Sequence, residues 1–200
     1  MANQSTSINS LMSWLAWVLL NGIAGAIGVV PLSDAWLKIP GSDKERFLAI
    51  LIFSLVISVC QGAYLSGKIS RVLEWIVSTF LAIPFGLLLF YLGIIFPSIF
   101  DAVFYRVIVQ LTAFLSIGFT IGLAQWYFAL RHRPQATRSQ ARLWILISTL
   151  GWAVGVIGGA VAIAQSSSSN GLWVAGGVAL SLYGAITGTT LAQLVQKKVS

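Results

Sequence analysis

Six apolar runs, each close to twenty residues, divide this chain, and short polar segments separate them. The pattern predicts helices over about 11–30, 43–66, 72–95, 106–130, 143–164 and 172–196. Each apolar core is near the ~20 residues that a helix needs to cross ~30 Å of hydrocarbon. Alternation of period two is missing from these runs, which argues against an outer-membrane barrel. The fold class that follows is all-α integral membrane, a six-helix transmembrane bundle in one domain spanning 1–200.

Local punctuation sets the expected helix ends. The first helix should stop before Pro31, and a loop should run from Ser33 to Arg46. Within that loop Ser42-Asp43-Lys44-Glu45 reads as a capping box, with Ser42 capping and Glu45 reaching back. Pro84 should kink the third helix, because proline removes one backbone hydrogen bond. Pro97 and Asp101 mark a short connection, and the serines from Ser166 to Ser169 with Asn170 and Gly171 mark a polar turn. Between the fourth and fifth helices lies the basic stretch RHRPQATRSQAR.

Composition names the solvent. Of 200 residues, 58% are hydrophobic and only 8% are charged, against about 25% charged in a soluble domain. Such a chain has too few polar groups to cover its own surface, so lipid is the expected partner. The net charge of +7 fits basic cytoplasmic loops better than a nucleic-acid partner. With both termini on one side, that side carries eight basic residues: Lys68, Arg71, Arg131, Arg133, Arg138, Arg142, Lys197 and Lys198. The other side carries four, Lys38, Lys44, Arg46 and Arg106, partly offset by Asp34, Asp43, Glu45 and Asp101. The imbalance predicts cytoplasmic N- and C-termini. Trp14, Trp17, Trp75, Trp126 and Trp144 then fall at the inner interface, and Trp36 and Trp173 at the outer one, where indoles favour the headgroup level. The opening MANQSTSINS lacks the basic flank of a secretory signal, so the first apolar run is expected to remain as a helix.

The odd helices share a spacing. Trp14 precedes Gly25 by 11 residues, as Trp75 precedes Gly86 and Trp144 precedes Gly155. Each of these helices is followed by one with a glutamine near its end: Gln61, Gln125 and Gln193 lie 47, 50 and 49 residues after Trp14, Trp75 and Trp144. Three repeated αα-hairpins are the expected architecture, each starting on Trp, with Gly in the middle and Gln at the finish. At ~1.5 Å per residue the glycines reach mid-bilayer, and the glutamines and tryptophans share one layer near the cytoplasmic face. The second helix departs from the pattern: Ser54 and Ser58 stand where the fourth has Gly118 and Gly122.

Candidate chemistry is sparse. Gln61, Gln125, Gln193 and Asn21 are the notable polar groups within the spans. They either line a small polar vestibule or hydrogen-bond between helices, and the second use is the commoner. Gly118, Gly122, Gly151, Gly155, Gly159, Gly184 and Gly188 form small-residue faces suited to close helix contact, inside the bundle or against another chain. Arg131, Arg133, Arg138 and Arg142 make a basic cytoplasmic loop suited to anionic lipid. Glu74, Asp101 and Arg106 adjoin helix ends, and no carboxylate lies mid-span. One cysteine, Cys60, and one histidine, His132, leave no basis for an internal disulfide or for a metal or haem site. No nucleophile–base arrangement, Walker sequence or dinucleotide fingerprint is present. Neither an enzyme nor a cofactor is expected.

The hairpin GFTIGLAQWYFALR, continued by ARLWILISTLGWAVG, resembles a group of uncharacterised multipass proteins of cyanobacteria and other bacteria. The residues that carry the likeness are Gly118, Gly122, Gln125, Trp126, Leu130, Arg131, Trp144, Gly151 and Trp152. It is best over 118–160 and 184–196 and weak over the first two helices. The resemblance implies a bacterial plasma or thylakoid membrane and brings no biochemical activity with it. Two functions are carried forward. One is a protein working through helix–helix contacts as an accessory, assembly or scaffold subunit, with a membrane-protein partner or a second copy. The other is a small-solute permease or channel, or the substrate-binding membrane component of a transporter.

Overall fold

The structure, a computed structural model, describes residues 2–37, 43–95, 103–133, 136–166 and 171–195. The described residues form six α-helices: α1 (Ala2–Leu37), α2 (Asp43–Leu65), α3 (Val72–Ile95), α4 (Val103–Phe128), α5 (Arg138–Gln165) and α6 (Gly171–Val195). A 3-10 turn, Leu130–His132, follows α4. Among the described residues, five helices are long and apolar enough to cross a membrane: α1, α2, α3, α5 and α6. The Ser42 cap, the segment holding Pro97 and Asp101, most of the serine turn, and Lys38, Lys197 and Lys198 lie outside the described residues. So do the side chains of Asp34, Trp36 and Arg106.

Three helix starts and one helix end differ from the sequence pattern by three residues or more, the α4 start at Val103 among them. The first helix runs on through Pro31 to Leu37 and begins at Ala2. A proline costs one backbone bond, yet the helix is not interrupted there. Pro84 likewise lies inside an unbroken α3. The flanking carbonyls there are supported from α4: Thr120 donates to Ala82 O at 3.2 Å and Ser116 to Gly86 O at 3.3 Å. The α5 helix starts five residues earlier than its apolar run. Thr137 accepts from Gln140 N at 3.2 Å, and Gln140 Oε1 accepts from Thr137 N at 3.0 Å. This capping box draws Arg138 and Arg142 out of the loop and onto the helix. Gly67, in the left-handed region with φ of 76°, closes α2.

Each helix packs antiparallel against its chain neighbours, and α1 packs against α6 to close a ring. The registers follow from the contacts. Asn21 meets Gln61, Trp75 meets Gln61, and Gln125 meets Thr79. A Cβ on Gly122 would lie 3.0 Å from Ile145 Cα, and one on Gly155 would lie 2.5 Å from Ala179 O. Trp17 meets Thr187. The core is stacked along the axis in two layers. One is aromatic, with Trp17, Trp75 and Trp144 beside Leu65, Leu130 and Leu191. The other is mostly aliphatic, with Ile57, Ile83, Ile117, Ile121 and Leu180 around Tyr183. The outer surface stays apolar, with exposed Leu19, Ile23, Leu55, Leu81, Leu146, Ile157 and Val174. That surface has the character expected of a protein dissolved in lipid.

Candidate functional site

Between the two core layers lies the main concentration of buried polar side chains. Asn21, Gln61, Thr79, Gln125, Ser148 and Thr187 are each at most 1% exposed. Three indoles stand beside them, all fully buried. The ring of Trp75 lies 6.4 Å from that of Trp17 and 5.8 Å from that of Trp144.

The hydrogen bonds link five of the six helices. Trp17 Nε1 donates to Thr187 Oγ1 at 3.1 Å, tying α1 to α6. Asn21 Nδ2 donates to the Trp17 carbonyl, which leaves Asn21 Oδ1 to accept from Gln61 Nε2 at 2.8 Å. Gln61 Oε1 then accepts twice, from Trp75 Nε1 at 3.2 Å and from Gln125 Nε2 at 3.3 Å. Gln125 Nε2 also donates to Thr79 Oγ1 at 2.9 Å. The helix α5 stands apart. Trp144 Nε1 and Trp152 Nε1 are buried with no hydrogen-bond partner, as is Gln125 Oε1, and Ser148 Oγ and the Tyr183 hydroxyl have only each other. Unpartnered atoms of this kind are uncommon in native interiors.

This arrangement corrects several sequence expectations. Trp17, Trp75 and Trp144 are not interfacial anchors; they fill the core. The tryptophan of the first hairpin that joins the layer is Trp17, whereas Trp14 is half-buried and donates to Ala185 O at 3.0 Å. Gln61 and Gln125 share the layer, but Gln193 does not: it is exposed, and Thr187 occupies the corresponding place on α6. Thr187 and Gln193 are six residues apart, about 240° around a helix, so both cannot face the axis. Each indole is followed four residues later by a buried polar side chain, Asn21, Thr79 or Ser148. That W-x-x-x-polar spacing was readable in the sequence and is a better marker of the layer than the glutamines. Ser54 and Ser58 return their hydroxyls to Ile50 O and Leu55 O of their own helix.

The small residues all turn inward. Gly118 and Gly122 face α5, Gly151, Gly155 and Gly159 face α6, and Gly184 and Gly188 face α1. None of the seven is left on the outer surface. The basic residues divide among several roles. Arg131 stacks 3.7 Å over the Tyr127 ring, and Arg133 Nη2 donates to Val195 O at 3.2 Å, capping the end of α6. Burial lowers the pKa of Arg133. Arg138 and Arg142 stand exposed on α5.

Two larger hollows adjoin the layer. One, of about 250 Å³, is lined by α1, α2, α5 and α6 and includes Val29, Phe53, Trp152, Ala175 and Tyr183. The other, of about 700 Å³, is a groove on the outside between α3 and α4. Chemically the layer holds neutral amides, hydroxyls and indoles, which donate and accept hydrogen bonds but do not ionise near neutral pH. Among the described residues no group of three or more His, Cys, Asp or Glu comes together. No family model, curated protein or solved structure matches the chain.

Proposed function

We propose that this chain is a six-span membrane protein that works through its lipid-facing surface, as an accessory, assembly or scaffold subunit beside a partner membrane protein or a second copy. The supporting observation is the cross-section at the tryptophan layer, where fully buried indoles and amides bond to one another across the axis. A layer so closed leaves the outer helix faces as the working part. A partner would meet rows of large apolar side chains, because the glycine faces are already used inside the ring. The charge imbalance of the connections supports cytoplasmic termini, and the resemblance of the central hairpin supports a bacterial plasma or thylakoid membrane. Native mass spectrometry after extraction in a mild detergent tests the reading. The expected result is a co-purifying membrane protein or a homo-oligomer. A strict monomer with nothing attached would sink it.

A second reading, the substrate-binding membrane component of a transporter, draws on one observation. The 250 Å³ hollow is walled by apolar surface from α1, α2, α5 and α6, Val29, Phe53 and Ala175 among it. Such a site suits a small apolar solute. Thermal-shift screening with small apolar solutes checks it: stabilisation that disappears in Ala175→Leu, which fills the hollow, supports the reading, and none in the wild type removes it.

A further inference from the structure

The outer groove between α3 and α4 has a shape and a charge distribution that together specify an occupant. It runs along α3 from Leu73 to Phe85, a 12-residue step that is about 18 Å at the helical rise. One leaflet of hydrocarbon is about 15 Å deep, half of the bilayer core. The floor is made of small residues, Ser78, Ala82 and Ala124, and larger side chains such as Leu81 and Leu123 form the rims. Its polar floor atoms are already engaged: Ser78 Oγ donates to Trp75 O, and Thr120 Oγ1 donates to Ala82 O and Ile117 O. Along its length the groove therefore offers little but hydrocarbon to a guest.

The end nearest the tryptophan layer is different. Arg71 pairs with Glu74 at 3.4 Å, and Glu74 lines the mouth of the groove. Arg131 stacks on Tyr127, another lining residue, and its Nε donates to His132 Nε2 at 3.1 Å. Accepting that bond requires a neutral ring nitrogen. Partial dehydration, then Arg71 and Arg131, hold the His132 pKa below its ordinary value against the pull of Glu74. The mouth thus sets two guanidinium groups against one carboxylate.

We infer that this groove seats an acyl chain of an anionic phospholipid from the leaflet that meets the basic connection, with the lipid phosphate against Arg131 and Arg71. The inference rests on the proposal that the chain spans a membrane. It adds to that proposal a lipid-specific site on one helix pair. A guanidinium is suited to phosphate because its planar donors engage two oxygens at once.

The test uses the full chain in detergent with an equimolar mixture of phosphatidylglycerol and phosphatidylcholine carrying the same acyl chains, read by native mass spectrometry. Phosphatidylglycerol adducts are expected to outnumber phosphatidylcholine adducts by about five-fold for each engaged arginine. Arg131→Ala should reduce that ratio about five-fold, whereas Arg138→Ala, on the exposed start of α5, should leave it unchanged. Leu81→Trp projects from an exposed rim position into the groove and should lower both adducts without loss of thermal stability. Equal retention of the two lipids would overturn the inference. So would an equal effect of Arg138→Ala, which would mark diffuse attraction, or adducts unchanged by Leu81→Trp. A protein helix found in the groove in place of lipid would also overturn it while leaving the helix-contact function standing. Selective lipid binding by a chain with no protein partner would do the reverse.

Discussion

The two halves of the bundle are held together by different means. In the tryptophan half, neighbouring helices are linked by side-chain hydrogen bonds and by rings that meet edge-on or tilted, from Trp17 and Thr187 round to Gln125 and Thr79. In the glycine half, backbones touch directly. A Cβ added to Gly176 would sit 2.5 Å from Gly25 O, and one on Gly155 would sit 2.5 Å from Ala179 O. Lipid tails are as apolar as leucine, so burial of hydrocarbon gives helices no reason to prefer each other over lipid. What remains is polar pairing and close packing, and this chain weights them differently in its two halves, although Gly184 and Gly188 also bring α6 close to Trp17 and Thr120 bonds to Ala82 O across α3 and α4. The tryptophan half should be sensitive to the loss of a single polar atom. The glycine half should be sensitive to the gain of a single carbon.

The largest expected effect probes the glycine half. Gly25→Val places new carbons against the Gly176 backbone, which cannot rotate aside, and should cost about 3 kcal/mol by overpacking. Reversible denaturant unfolding in mixed micelles checks it. Gln61→Leu comes next. It keeps the volume nearly constant but strands the indole of Trp75 and one bond each of Asn21 and Gln125. Three interhelical bonds at their membrane average give a loss of about 2 kcal/mol. A loss as small as that of an exposed substitution would erase the contrast between the halves. A finer comparison uses two tryptophans of the same layer. Trp75→Phe forfeits a bond to Gln61, whereas Trp144→Phe removes an N–H that has no partner. The first should be costlier by about 1 kcal/mol. The smallest effect belongs to Gln193→Leu. Its side chain is exposed, so the change in stability should stay within about 0.5 kcal/mol.

Much of the architecture could be read directly from the residues. Six runs of apolar side chains gave six helices, and α3 matched its forecast at both ends. Ends were misjudged where a local rule met an apolar environment, as at Pro31. They were also misjudged where polar residues extend a helix beyond its greasy segment, as at Thr137 and Gln140, whose T-x-x-Q spacing was visible. The buried layer was half legible. An 11-residue step links Trp17 to Gly28 as well as Trp14 to Gly25, so spacing alone could not choose the register. Which indole turns inward depends on the rotation of α1 against α6, a pairing of helices far apart in sequence. The tripeptide LAQ recurs in α4 and α6, but in α6 its leucine, Leu191, is the residue that packs in the core. Identical letters at different helical phases do different jobs.

The bond between Trp17 and Thr187 spans 170 positions of the chain. At ~5–20 residues per second of synthesis, roughly 10 to 30 s separate the appearance of its two ends. Throughout that interval α1 exists with its indole and glycine seam unmatched, while the later helices are made. Biogenesis of this protein therefore has a vulnerable window, open until α6 emerges and meets α1. A factor that shields the first segment would act there, during manufacture and before the finished fold exists.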